Sequence, residues 1–246
     1  MNLRYLMLEA RVIARNSRFL IFTLIMPAVL FVIYVGLWGG LGATYRDGTP
    51  VALSLMVSMS GYGAMSAAMT TGMGIAIERE YGWMRQLRLT PMSGLSYLLA
   101  KATLSMIVAL PTILVVSLLG LTFGGVRLTG PQWLGVTLGM WLACSPFAAI
   151  GVAMGQLSTA DSAQAIGGAS MMTLGLAGGM WIPSQIVPEW AADLMKLTPS
   201  FWLRQVGQSV VNHALDLRTA ILVLAAWTAV ATAIAARRYR SQLARA

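Results

Sequence analysis

Long apolar runs, bounded by charges, Pro/Gly clusters or polar loops, dominate the chain. Six of them, 19 to 28 residues long, cover Phe19 to Leu41, Val51 to Ile77, Tyr97 to Gly124, Gln132 to Leu157, Ala163 to Pro183 and Arg218 to Ala236. About 20 apolar residues cross the hydrocarbon core of a bilayer as a helix. Barrel strands are about half that length and alternate with period 2, and open sheet strands its backbone groups in lipid. The pattern therefore predicts an all-α polytopic membrane protein with six transmembrane helices.

Composition narrows the picture further. With 57% hydrophobic against 10% charged residues and a mean hydropathy of +0.72, a soluble globular domain and an intrinsically disordered chain are both excluded. Cys144 is the single cysteine and His213 the single histidine, so an intrachain disulfide is excluded and a zinc site of ordinary ligands is not expected. The net charge of +9 is expected to signal topology rather than nucleic-acid binding, because the arginines cluster at the flanks of apolar runs. One side collects 12 Lys and Arg residues, among them Arg11, Arg79, Lys101 and Arg237; the other collects five, Arg46, Arg127, Lys196, Arg204 and Arg218. Both termini are then expected in the cytoplasm. The first run exceeds the 7 to 15 residues of a signal-peptide core, so the N-terminus is expected to be retained.

Within residues 1–18, Leu3, Leu6, Met7, Ala10, Ile13 and Ala14 recur at helical spacing opposite Arg4, Arg11, Arg15 and Arg18. That phasing predicts a helix in the membrane interface; a basic retention signal before the first span is the plainer alternative.

Membrane enzymes and self-powered transporters leave chemistry at membrane depth. No predicted span contains a histidine, which argues against a Ser/His protease, and His213 is expected in a loop. Glu78, Glu80 and Asp161 fall at span ends or in loops, and Lys101 lies near a cytoplasmic end, where it is expected to snorkel. Neither a proton relay nor a channel filter is evident. Neither lysine ends a Gly-rich phosphate loop, so the chain itself is expected to bind no cofactor.

Two segments carry more specific patterns. Ala76 to Lys101 contains Glu78-Arg79-Glu80, Gly82, an amphipathic Trp83 to Leu89 and the stop Thr90-Pro91. It fits either a solvated basic loop or a short helix that docks on a soluble partner by Trp83, Met84 and Leu87, with Arg85 and Arg88 at the rim. Gly178 to Trp202 contains Gly179, Trp181, Pro183, Pro188 and Trp190. It fits either an aromatic-rich interfacial loop or a re-entrant hairpin closing an outer mouth.

Together these segments resemble the membrane subunit of the ABC type-2 exporter family. The resemblance rests on Glu-Arg-Glu-x-Gly followed by Thr-Pro and a lysine, and on Gly-Gly-x-x-x-Pro-x-x-x-x-Pro followed by Leu-Thr-Pro. It covers the whole chain, 1–246, as one transmembrane domain, and is nearest to the permeases of bacterial drug, antibiotic and lipid-linked export systems. It implies a half-transporter of the bacterial cytoplasmic membrane. Two permease copies pair as a homodimer on two copies of a separate ATPase that binds ATP and Mg. Glu78, Arg79, Glu80, Gly82, Trp83, Arg85, Leu87, Arg88, Thr90 and Pro91 would form the coupling segment, and Gly179, Trp181, Pro183, Pro188 and Trp190 an outer gate. Trp83 and Trp181-Ile182 depart from the common pattern, which bears on substrate. A non-transporting membrane partner or sensor with the same fold is the rival reading.

Within the second span Ser54, Ser58, Tyr62, Ser66, Thr70 and Gly74 recur every fourth residue. Such a row drifts about 40° per step, so only part of it can face one pathway. Ser58, Tyr62 and Ser66 are the candidates for substrate contact, with close helix packing as the alternative. Gly151/Gly155 and four further glycine pairs have the spacing that brings membrane helices together. Pro27, Pro111 and Pro146 are expected to bend their helices.

Overall fold

The computed structural model describes residues 3–38, 43–45, 48–82, 94–182, 187–212 and 216–243. Among the described residues ten helices follow one another: α1 (Leu3–Ala14), α2 (Ser17–Trp38), α3 (Val51–Glu80), α4 (Gly94–Thr122), α5 (Gly130–Ala143), α6 (Ser145–Leu157), α7 (Ala160–Ala177), α8 (Glu189–Met195), α9 (Pro199–Asn212) and α10 (Leu217–Leu243). No strand occurs among the described residues; an isolated bridge pairs Thr44 with Pro50 in the α2–α3 connection.

Helix starts follow local chemistry. Asn16 Oδ1 accepts the Phe19 N–H at 3.2 Å and begins α2, so the N-terminal helix stops at Ala14, short of residue 18. Thr129 and Gln132 cap α5, with the Thr129 N–H donating to Gln132 Oε1 at 2.8 Å. Thr159 and Ser162 cap α7 reciprocally, which starts that helix three residues ahead of the apolar run. Asp216 receives the Thr219 N–H at 3.3 Å before α10.

Each of two prolines has a visible consequence. Pro27 cannot donate to the carbonyl of Thr23, and α2 widens into a π turn over Ile21–Ile25 just before it. Thr112 of α4 donates its hydroxyl to that Thr23 carbonyl at 3.2 Å instead. Pro146 interrupts the fourth apolar run, which bends at Cys144 between α5 and α6.

Five helical stretches are long and apolar enough to cross a membrane: Ser17–Trp38, Val51–Glu80, Gly94–Thr122, Gly130–Leu157 and Leu217–Tyr239. The 18-residue α7 carries Asp161, Ser162, Gln164, Ser170 and Thr173 and falls outside that set. Burial separates the five sharply. In its most apolar stretch α3 is 83% buried, against 17% for α2 and for α10. The axis of the bundle is therefore α3, wrapped by α2, α4, α6, α7 and α9.

In lipid, apolar contact between helices gains no hydrophobic driving force, so packing quality decides where they touch. At the α3–α6 crossing a Cβ on Gly151 would lie 2.5 Å from the Met69 carbonyl oxygen, and one on Gly72 2.5 Å from the Val152 nitrogen. Only glycine lets these backbones approach so closely. The small-residue spacing of Gly151 and Gly155 is thus a packing device, as Gly155 also presses on Gly72 and Met73.

Candidate functional site

The Glu78 end of α3 holds the densest charged cluster. Lys101 on α4, a side chain only 5% exposed, places Nζ 2.5 Å from Glu9 Oε1 of α1 and against Glu78 Oε1 of α3. Tyr97 of α4 donates its hydroxyl to the other oxygen of Glu78. An ammonium has three donors, and here two of them meet carboxylates from separate helices. Lys101 does not snorkel, as its position near a span end suggested; its ammonium is held inside by two acids, which offset its desolvation.

One residue further on, Arg79 turns the opposite way. Its Nη1 donates to the Gln156 carbonyl at 2.9 Å and its Nη2 to the Ser158 carbonyl, at the C-terminal end of α6. Helix C-termini leave carbonyls without partners, and a guanidinium satisfies two of them while opposing the negative dipole end. Consecutive residues therefore tie α3 to α4 and α1 on one side and to α6 on the other. Glu80 and Tyr81 are exposed, and Gly82, at φ +72°, ends the helix in the left-handed region. Trp83, Arg85, Leu87, Arg88, Thr90 and Pro91, expected to complete the segment, lie outside the described residues, as does His213.

Toward the other end of α3, Ser58 and Ser66 are buried, 4% and 5% exposed, and Tyr62 is partly buried. The Tyr62 ring meets Trp181 edge to face at 5.1 Å and 89°. Both rings pack over Gly175, where a Cβ would come within 2.8 Å of Trp181 Nε1. Ser58 and Ser66 are thus buried, and Tyr62, one turn from each, reaches the segment after α7.

That segment owes its shape to a glycine pair. Gly179 has φ +72°, with the Gly179 N–H on the Leu176 carbonyl and the Met180 N–H on the Gly175 carbonyl, both at 3.0 Å, which caps α7. Gly178 makes room for α9, since a Cβ there would lie 2.2 Å from Ser200 Oγ. Pro183 lies outside the described residues. Pro188 precedes α8, and Trp190 is 69% exposed, away from Trp181. Two helices, α8 and α9, fill the stretch expected to form re-entrant elements.

Arg204 on α9 is the clearest departure from the sequence reading. Counted there as a loop charge, it is 1% exposed, with Nη2 3.4 Å from Ser54 Oγ. Gln208, one turn later, contacts the same Ser54 oxygen at 2.8 Å, and with its amide turned its oxygen accepts from Arg204 Nη2 at 3.2 Å. The i, i+4 spacing of Arg204 and Gln208 was available in the sequence, but the burial of α9 against α3 and α5 was not. Glu9 did leave a signal: it falls in register with Leu6, Ala10 and Ile13, on the buried stripe of α1. Lys101 and Glu78 left none, being 23 residues apart on different helices. Among the described residues no group of three or more His, Cys, Asp or Glu could hold a metal ion.

A bundle of apolar helices around a buried axial span, with charged anchors at one end, is the architecture of a multi-pass membrane protein. Residues 43–237 match the family described as "ABC-2 family transporter protein", and the chain belongs to that family. It is also 26% identical over 220 residues, 89% of each chain, to the Bacillus subtilis (strain 168) protein named "Putative transport permease YvfS". The chain is a transport permease, and membership of the family implies association with an ABC ATPase.

Proposed function

We propose that this chain, 1–246, is one transmembrane domain: the permease of an ATP-driven exporter that moves a hydrophobic or amphipathic compound out of the cytoplasm or the inner leaflet. Two copies pair as a homodimer on two copies of a separate ATPase, which holds ATP and Mg. The domain sits in the cytoplasmic membrane of a bacterium with both termini cytoplasmic, and α7 makes the fifth of six crossings. Residues 78–91 face the ATPase, with Gly82, Trp83, Arg85, Leu87, Arg88, Thr90 and Pro91 at the contact. Drug, antibiotic and lipid-linked cargo all fit the chemistry of this class.

The observation that carries the reading is the end of α3. Glu78 and Arg79 anchor it to three other elements, and exposed Glu80 and Tyr81 then lead out of the bundle through the Gly82 turn. A helix end that is rigid on its inner side and free on its outer side is what a pushing partner needs. The homodimer is supported by α7, whose exposed face carries Gln164 and Thr173, with Gly168 in open space. Polar side chains facing lipid are costly, and a second copy would cover them. For the pathway, Tyr62 beside Trp181 marks the outer side. Trp181 Nε1 is buried without a hydrogen-bond partner among the described residues, which suits a polar atom of a passing compound. Gly179, Pro183, Pro188 and Trp190 then frame the gate, and α8 and α9 re-enter from the outer face.

Mild-detergent purification of the tagged chain from its own membranes, with stoichiometry and ATP hydrolysis measured, tests this reading. A roughly equimolar soluble ATPase that is lost on Gly82→Pro or Trp83→Asp is the expected result. A stable complex holding no ATPase would replace the exporter with a non-transporting membrane partner. Uptake of a lipophilic fluorescent dye into inverted vesicles on adding ATP then reads the direction.

A further inference from the structure

The Lys101 cluster joins elements that the chain itself leaves far apart. Glu9 belongs to the N-terminal helix, Lys101 and Tyr97 to the first turns of α4, and Glu78 to the last turn of α3. Around Glu9, α1 touches α4 through Leu6, Ala10 and Ile13 against Ala100, Leu104 and Val108. Those are small apolar contacts in a setting where lipid solvates an apolar face as well as protein does. The buried ion pair is different, because neither charge finds an equivalent partner in lipid, and separating them strands both in a medium of low dielectric. It therefore holds α1 to α4 far more strongly than its contact area suggests.

The exposed remainder of α1 points to its setting. Met7, Leu8 and Val12 are 56%, 60% and 62% exposed, and Arg11 is exposed beside them. A helix docked by one stripe and presenting apolar and basic residues on the rest lies at the boundary between lipid tails and headgroups.

We propose that Lys101 is a positioning residue that makes α1, the start of α4 and the ATPase-facing end of α3 one rigid body, so that motion imposed on Glu80 to Gly82 also moves the interfacial helix. The proposal rests on the reading above that the end of α3 faces the ATPase. Its geometry divides the work: the Lys101–Glu78 pair with Tyr97 locks α3 to α4, and the Lys101–Glu9 pair adds α1 to that lock. Removing Glu9 alone releases only α1. Removing Lys101 releases α1 and loosens this end of α3 from α4, where the Tyr97–Glu78 bond and the helix packing remain.

Spin-label distance measurements on the full chain, with and without its ATPase, test this. Cysteine is placed at the exposed positions Leu8, Tyr81, Leu95 and Leu142 in a Cys144→Ala background. In the chain alone the Leu8–Tyr81 and Leu95–Tyr81 distances should both be narrowly distributed. Glu9→Gln should broaden the first and leave the second, Lys101→Met should broaden both, and Lys101→Arg should restore both. General loosening of the fold would broaden both pairs in Glu9→Gln as well, and that result overturns the proposal, as does no broadening in Lys101→Met. With the ATPase bound, ATP plus vanadate should shift Tyr81 and Leu8 together relative to Leu142. Glu9→Gln should abolish the Leu8 shift and keep that of Tyr81, with ATPase recruitment unchanged; a Leu8 shift that survives in Glu9→Gln refutes the transmission. If Tyr81 itself does not shift in the unsubstituted complex, the ATPase-facing reading of α3 fails and transmission with it. The lock is then decided by the distances in the chain alone.

Discussion

At its Glu78 end α3 meets a lysine bracketed by two carboxylates, whereas at its Ser54 end it meets an arginine through the neutral side chains of Ser54 and Gln208. Both cations are buried, 4% and 1% exposed, yet they are held by different physics. The lysine cluster gathers opposite charges from three helices, so it is strong, directional and intolerant of losing one member. At Ser54 and Gln208 the arginine meets dipoles, which can rotate and re-pair. The first suits a joint that transmits force, the second a contact that holds a lining in place. Between them the α3–α6 crossing at Gly72 and Gly151 acts as the fixed point, where backbone touches backbone.

The largest effect should come from breaking the first end. Lys101→Met leaves two carboxylates facing each other in a poorly solvated site, and the loss of stability should be about 3–5 kcal/mol. Thermal unfolding in detergent measures it. Neutralising the acids as well, with Glu9→Gln and Glu78→Gln added, should recover most of the loss, and failure to recover would mean that Lys101 matters by its packing and not its charge.

The fixed point comes next. Gly151→Ala inserts a Cβ 2.5 Å from the Met69 carbonyl oxygen, so the helices must separate; overpacking of this kind costs about 1–3 kcal/mol. Gly168→Ala, where nothing lies within 4 Å, should instead gain up to about 1 kcal/mol from helix propensity. The pair of melting curves tests whether the crossing or the glycine content matters.

At the second end Arg204→Met should cost less than Lys101→Met, about 1–3 kcal/mol, because Ser54 and Gln208 still reach each other at 2.8 Å. Equal losses for Arg204→Met and Lys101→Met would erase the contrast between the two ends.

The smallest effect belongs to Asp216, exposed at the start of α10. Its carboxyl is held below the usual range by the Thr219 side-chain hydroxyl, then by the Thr219 N–H. A carboxyl with a lowered folded pKa stabilises above its unfolded value, about 3.9, and that stability is lost as pH falls through the folded value. Asp216→Asn should therefore change the melting temperature little at neutral pH, since Asn caps equally well, and should flatten its decline on the acid side.

Much of this was legible in the residues. Five of the six predicted spans came within a few residues of helices long and apolar enough to cross, because a 20-residue charge-free run in lipid has few alternatives to helix. The Gly151/Gly155 spacing pointed to a close crossing. Where the reading missed, the cause was consistent. Lys101 was expected to snorkel near a span end, and Arg204 to lie in the segment connecting two spans. Each is buried because distant helices bring partners to it, Glu9 and Glu78 to the lysine and Ser54 to the arginine.

By itself the sequence determined that the protein lies in a membrane, that it is helical, that its helices are irregular at Pro27 and Pro146, though not at Pro111, and that it resembles a permease. Those properties are local: they follow from apolar run length and from the missing N–H of Pro27 and Pro146. Only the tertiary structure decided that α3 is the axis, that Glu78 and Arg79 bond to neighbouring helices, and that Glu9 belongs to the same cluster as Lys101. Those depend on which helix faces meet, and in lipid many faces are apolar enough to meet. Close glycine contact and buried charge choose among them, and both require residues far apart in the chain to arrive at the same place.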